Sequence, residues 1–147
     1  MRLNLGCSDD IRPGWVNVDC CLPADQIVDL DKQWPWKDSS VDAILAHDVI
    51  EHLVDRIHTM NELWRVLKPG GTVEIKVPTT DGTGAFQDPT HVSYWNRRSF
   101  LYYEAGCPYR ERFAKAYGIH AAFRVVSESL QARLDGPKLT IVLEAVK

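Results

Sequence analysis

Leu3 and Leu5 alternate with Arg2 and Asn4, and the same two-residue rhythm returns at Val73, Ile75 and Val77 and again at Leu139, Ile141 and Leu143. Side chains of a strand point to opposite faces in turn, so this alternation marks strands with one face buried and the other wet or against polar groups. Val41 to Ala46 is apolar at both parities, which predicts the centre of the sheet. Two shorter strands follow from Trp15–Val18, running into Asp19, and from Ile27–Leu30. The clearest helical pattern is Leu53, Ile57, Met60, Trp64 and Leu67, spaced by four and three residues on one apolar face. Asp48, with Glu51 three residues on, makes a D-x-x-E capping box and predicts that this helix starts there. Lys68-Pro69-Gly70-Gly71 ends it, ahead of a strand over Thr72–Val77. A second helical region runs from near Asn96 to Gly106 with Phe100, Leu101 and Tyr103, and a shorter third covers Tyr109–Tyr117. Phe123–Leu134, the turn Asp135-Gly136-Pro137 and Leu139–Val146 predict a C-terminal antiparallel hairpin.

The connections in the first half are short. Only Ser8–Gly14, with Pro13-Gly14 inside it, separates the first strand from the second, although a parallel crossover normally takes a dozen or more residues and a helix. Cys20–Asp25, containing Pro23, is equally brief. Bare loops must therefore replace helices there. The expectation is an α/β fold with a mostly parallel sheet, a C-terminal antiparallel hairpin and helices mainly on one face. The open face would be solvated or would form a homodimer contact.

Composition narrows the classes. The 147 residues suit one domain with a real core, residues 1–147. A net charge of −3 without a basic block argues against nucleic acid as a partner. No apolar run reaches membrane-spanning length and no basic-then-apolar leader opens the chain, so it reads as a cytoplasmic protein without a membrane partner. Cys7, Cys20, Cys21 and Cys107 show no C-x-x-C spacing and read as reduced thiols. A zinc site from Cys20 and Cys21 with His47 or His52 lacks the required spacing, and no metal is expected.

Gly6 closes the first strand in a tight turn, and Asp19 stands at the tip of the next. Neighbouring strand tips are where an open α/β sheet takes a nucleoside. Alone, Gly6 could be an ordinary turn glycine and Asp19 a strand-end cap. With Asp29 at the next strand end, the three together favour a cofactor.

The strings LNLGCS (Leu3–Ser8), NVD (Asn17–Asp19), VDLDKQWPWKDSSVDAILAHDVIEHL (Val28–Leu53) and ELWRVLKPGGTVEIKVP (Glu62–Pro78) resemble class I S-adenosylmethionine-dependent methyltransferases of the compact, small-molecule, type 11-like kind. DPTHVSYW (Asp88–Trp95) is similar to a segment found in a subset of them. The resemblance implies a Rossmann-like sheet, S-adenosyl-L-methionine as cofactor and S-adenosyl-L-homocysteine as product. It implies a cofactor site from Asn4, Gly6, Cys7, Ser8, Asp19, Asp29, Leu30 and His47. Gly6 would admit the methionine part. Asp19 would accept the ribose hydroxyls, and Asp29 would take the adenine amino group, with the Leu30 amide facing the ring. His47 and nearby backbone would lie beneath the methyl. The sequence departs from the family pattern at Asn4, where an acid is common, and at Ser8, where glycine is usual. Arg12, or amides of the Ser8–Gly14 loop, would hold the ligand's carboxylate.

His91 is the candidate catalytic base, since an imidazole titrates near operating pH. The competing role is a loop pin against Asp88. Trp34, Trp36, Tyr94 and Trp95 either line the pocket or pack the core, while Glu51 reads as a helix cap and His52 as structural. The expected reaction is direct methyl transfer to an oxygen or nitrogen of a small-molecule acceptor. A catalytically degenerate cofactor-binding or interaction protein is the alternative. The absence of G-x-G-x-x-G before a helix argues against a nicotinamide oxidoreductase.

Overall fold

The computed structural model describes residues 1–147. Seven strands, β1 (Arg2–Leu5), β2 (Val16–Asp19), β3 (Gln26–Ile27), β4 (Val41–His47), β5 (Leu67–Pro78), β6 (Phe123–Gln131) and β7 (Lys138–Ala145), form one sheet in the order β3-β2-β1-β4-β5-β7-β6. β4 is the central strand, as its continuous apolar character predicts. The first five strands pair in parallel, and β7 returns antiparallel between β5 and β6. Three helices, α1 (Arg56–Val66), α2 (Gly84–Gln87) and α3 (Pro108–Tyr117), are joined by 3-10 turns at Ile50–His52 and Arg97–Tyr102. No helix is long and apolar enough to cross a membrane.

The alternation of the strands sorts the sheet's two faces. Leu3, Leu5, Val18, Ile44, Ala46, Val73, Ile75, Ile141 and Leu143 are buried in one core with Met60, Leu63 and Val66 of α1. The opposite face holds Asn4, Asn17, Leu45, His47, Glu74, Lys76 and Thr140, in register across the strands. His47 Nε2 meets Glu74 Oε1 at 2.8 Å there, and Arg124 pairs with Glu144 at 2.6 Å. Under β1 and β2 the Ser8–Gly14 loop covers this face. Asn4 Nδ2 donates to the Asp10 carbonyl (2.7 Å) and to Asn17 Oδ1 (3.0 Å), which also accepts the Arg12 amide. The short connection thus replaces a crossover helix by a polar network, which satisfies the groups that a bare loop would strand.

Two predicted boundaries move. β3 is confined to Gln26–Ile27, because the chain turns away from β2 after the Asp19 carbonyl accepts the Val28 amide. α1 begins at Arg56, capped by Asp55, whose carboxylate accepts the amides of Ile57 and His58. Asp48 instead sits in the left-handed region at φ +54, and Glu51 lies in the 3-10 turn with its side chain buried. The carbonyl of Glu51 accepts the amides of Val92 and Ser93, so this turn is docked on the segment beyond β5 rather than wound into α1. The capping box is therefore not formed.

Candidate active site

Gly6, at φ +60, ends β1 in a turn that directs Ser8 toward the tip of β2. The Ser8 amide donates to Asp19 Oδ2 (2.9 Å), and the Cys20 amide donates to Asp19 Oδ1 (2.7 Å). Burial alone would raise this carboxyl; hydrogen bonds from the Ser8 amide, the Cys20 thiol and amide and the Cys21 thiol together outweigh it and hold Asp19 below the usual carboxylate range. Oδ2 keeps a further acceptor position, while Oδ1 also accepts the Cys21 thiol at 3.6 Å, a weak bond that a hydroxyl can displace, so an ionised Asp19 fixed at a strand tip fits a ribose diol. Asp29 lies after β3 with one oxygen on Lys32 Nζ (2.9 Å) and the other accepting the Asp31 amide, both of which lower its pKa.

The remaining residues named for the cofactor divide. Ser8 is exposed, in the left-handed region at φ +41. Cys7 is buried with its thiol toward the Pro23 carbonyl. Leu30 is buried in the core, and its carbonyl accepts the Trp34 indole. Asn4 is buried beneath the loop and its Nδ2 donates to the Asp10 carbonyl of the loop and to Asn17 of β2, so its amide holds the loop rather than reaching a ligand. The His47 ring turns to Glu74 on the open face. Arg12 forks onto Asp10 Oδ2 at 2.8 and 2.6 Å. Trp34, Trp36 and Trp95 are core residues; of the four aromatic candidates only Tyr94 is exposed.

A second cleft opens beyond the ends of β4 and β5, against the β6–β7 turn. Its volume is about 280 Å³ and its walls are polar, with Asp48, Glu51, His52, Asp88, His91, Asp135 and Lys138. Asp48 pairs with Lys138 at the rim. Glu51 is 2% exposed, and its Oε2 has no hydrogen-bond partner. Burial, with the neighbouring Asp48 charge adding to it, pushes its carboxyl up to about 7. His91 Nδ1 lies 3.0 Å from the Ala85 carbonyl, and a carbonyl only accepts, so Nδ1 carries a proton and Nε2 is the ring nitrogen without a hydrogen bond. That Nε2 is 3.9 Å from Asp88 Oδ2, too far for a hydrogen bond; the residue that His91 is pinned to is Ala85. Asp88 instead accepts from the amide and hydroxyl of Thr90. A larger cavity, about 830 Å³, has aromatic walls from Trp95, Tyr102, Tyr103, Tyr109 and Tyr117, and contains none of the residues named for chemistry.

Residues 17–75 match the family model described as a methyltransferase domain. The chain has the class I methyltransferase fold. The resemblance carried by its sequence motifs is borne out. A stretch of 44 residues, 30% of this chain, is 43% identical to a probable S-adenosylmethionine-dependent methyltransferase of Mycolicibacterium smegmatis. That stretch spans 17% of the relative's length. Among solved structures, the methyltransferase in complex with the Haloferax volcanii Trm112 methyltransferase activator superposes with a TM-score of 0.67 at 19% identity. The match covers 99% of this chain and 82% of that one. The Burkholderia thailandensis 1,6-didemethyltoxoflavin-N1-methyltransferase, solved with its substrate and S-adenosylhomocysteine, gives 0.66 at 14% identity, over 99% of this chain and 71% of that one.

Within this fold, two groups of candidate residues lie along the strand ends: Gly6, Asp19 and Asp29 after β1 to β3, and the polar cleft after β4 and β5 against the hairpin. Glu51 is the functional candidate that local reading misses. Its capping-box spacing is satisfied by sequence alone, and only its apolar neighbours Val49 and Ile50, both buried, hint that it points inward.

Proposed function

We propose that this chain transfers a methyl group from S-adenosyl-L-methionine to an oxygen or nitrogen of a small-molecule acceptor. The observation that carries the reading is the juxtaposition just described: an ionised, amide-held Asp19 at one strand tip, beside a polar cleft with a free imidazole nitrogen. When bound, the cofactor supplies a methyl on a sulfonium, a leaving group good enough for direct displacement. Asp19 would hold the ribose hydroxyls and Asp29 the adenine amino group, each with its carboxylate oriented by backbone amides. Preorganised contacts of this kind align the reactants and lower the entropic part of the barrier. His91, its Nδ1 proton fixed by Ala85, would take the acceptor's proton on Nε2 as the nucleophile attacks. The polar walls favour an acceptor with several hydroxyl or amine groups.

Calorimetric titration with S-adenosylmethionine tests the cofactor half. Micromolar binding by the wild type and its loss in Asp19→Ala are expected; wild-type protein that binds nothing would sink the reading. A screen of hydroxyl- and amine-bearing acceptors with the wild type and His91→Ala then tests the second half.

A further inference from the structure

Three ligand-bearing side chains converge in the polar cleft from distant parts of the chain. Glu51 and His52 follow β4, His91 follows β5, and each offers a ligand atom within 4.8 Å of the other two. Their arrangement is more ordered than proximity alone. The His91 proton is held on Nδ1 by the Ala85 carbonyl. His52 Nδ1 lies 3.2 Å from the Thr90 carbonyl and 3.0 Å from the Thr90 hydroxyl. That hydroxyl spends its own proton on Asp88 Oδ1 at 2.6 Å, so it too accepts from His52. Nδ1 of each imidazole therefore carries a proton, tied to Thr90 or to Ala85, and no hydrogen bond engages either Nε2. This is how proteins orient histidines that bind a metal: the far nitrogen donates to a carbonyl or carboxylate, which fixes the tautomer and raises ligand basicity.

The second observation is independent of the histidines. Glu51 is 2% exposed and its Oε2 has no partner. A buried carboxylate oxygen without a donor is costly, and such groups ordinarily acquire a hydrogen bond, a water or a cation. Its backbone is in use and its side chain caps nothing. The one nearby ammonium, Lys138, pairs with Asp48 instead.

We propose that Glu51, His52 and His91 bind a divalent first-row cation of the zinc class, with the remaining coordination positions open to the cleft. Two imidazole nitrogens and one carboxylate suit borderline cations rather than calcium or magnesium, which prefer oxygen. Bonds of ~2.0–2.2 Å would bring the ligand atoms to about 3.4 Å apart in a tetrahedron, so side-chain rotations of an ångström or so complete the set. A site with three protein ligands and open positions can polarise an acceptor oxygen and ease loss of its proton to solvent. With the cation bound, Nε2 of His91 is a ligand and not a base. The proposal concerns ion binding and holds or fails without the methyl-transfer reading.

The test is zinc titration of the metal-stripped full chain by calorimetry. The background is Cys20→Ser/Cys21→Ser, because Asp19, Cys20 and Cys21 form the other ligand group. One site with submicromolar affinity is expected. Glu51→Gln and His91→Ala should each weaken it by at least ~100-fold, the upper end of the cost of losing even an outer-shell partner. Circular dichroism is the control for folding of each variant, and the near-isosteric Glu51→Gln removes the carboxylate without opening a void. No binding to the folded cysteine-free background overturns the proposal. Binding that Glu51→Gln and His91→Ala both leave within threefold overturns it as well.

Discussion

Gly6 and Val49 face each other so closely that no side chain fits between them. A Cβ on Gly6 would stand 2.6 Å from Val49 Cγ2 and 2.7 Å from Val49 Cβ. The glycine at the end of β1 is thus required by the protein's own packing, as well as by any ligand that passes over the turn. Gly6→Ala should destabilise the fold by about 2–5 kcal/mol, combining ~1–2 for a left-handed alanine with overpacking of ~1–3. Urea denaturation measures it. Val49→Gly, which removes both offending carbons, should make the double variant less unstable than the sum of the two single ones; strict additivity would refute the contact.

Glu51 favours the folded state only while it is protonated in metal-free protein. Its pKa rises from an ordinary 4.5 to about 7 on folding. Between those values the native state keeps a proton that the unfolded chain has lost, so stability falls as pH rises, by ~1.4 kcal/mol per unit at most. Above pH 7 the loss is complete. With chelator present, Glu51→Gln should match the wild type near pH 4.5 and exceed it by about 1–3 kcal/mol at pH 8. Equal urea midpoints at both pH values would show that Glu51 is solvated or paired.

Glu62 anchors the Trp34–Trp36 segment to α1. Its carboxylate accepts the Trp34 amide at 2.8 Å and two Arg65 nitrogens at 2.6 and 2.8 Å. Arg65 also donates to the Trp34 and Trp36 carbonyls and to Asp38. Burial raises the Glu62 pKa, but the Arg65 and Trp34 bonds prevail and lower it. The pair's stabilisation is therefore present above the unfolded carboxyl's pKa and disappears as pH falls through the folded one. Glu62→Ala should cost about 2–4 kcal/mol, short of a fully buried pair because Arg65 keeps Asp38. A loss below ~0.5 kcal/mol, typical of surface substitutions, would place the pair among dispensable ones.

Asn4 tests whether the loop after β1 depends on the network beneath it. Removing its amide in Asn4→Ala leaves the Asp10 carbonyl without this donor, at a cost of about 1–3 kcal/mol. Hydrogen exchange at the amides of Ser8–Gly14 should accelerate in this variant, while those of β4 and β5 change little. Unchanged exchange in the loop would mean that other contacts order it.

Much of the architecture follows from short-range pattern. The alternation at Leu3/Leu5, Val73–Val77 and Leu139–Leu143 determined which side of the sheet meets the helices, because a strand turns each residue by half a revolution. The doubly apolar Val41–Ala46 determined the central strand, and Asp135-Gly136-Pro137 the turn of the hairpin. Gly6, Asp19 and Asp29 were legible as candidates because a proposal at strand ends needs only strand boundaries and residue type. Tertiary structure alone decided the cleft. Glu51 has the spacing of a helix cap, yet long-range docking on Val92 and Ser93 buries it, and burial is what raises its pKa. Asn4, Trp34, Trp36 and Trp95 likewise carry chemistry suited to a ligand, and packing turns them inward. His52 and His91 meet only because β4 and β5 end side by side. Their tautomers depend on carbonyls of Thr90 and Ala85 that no local pattern places. Periodicity and turn chemistry act over a few residues, while burial, convergence and proton position depend on segments that the fold alone brings together.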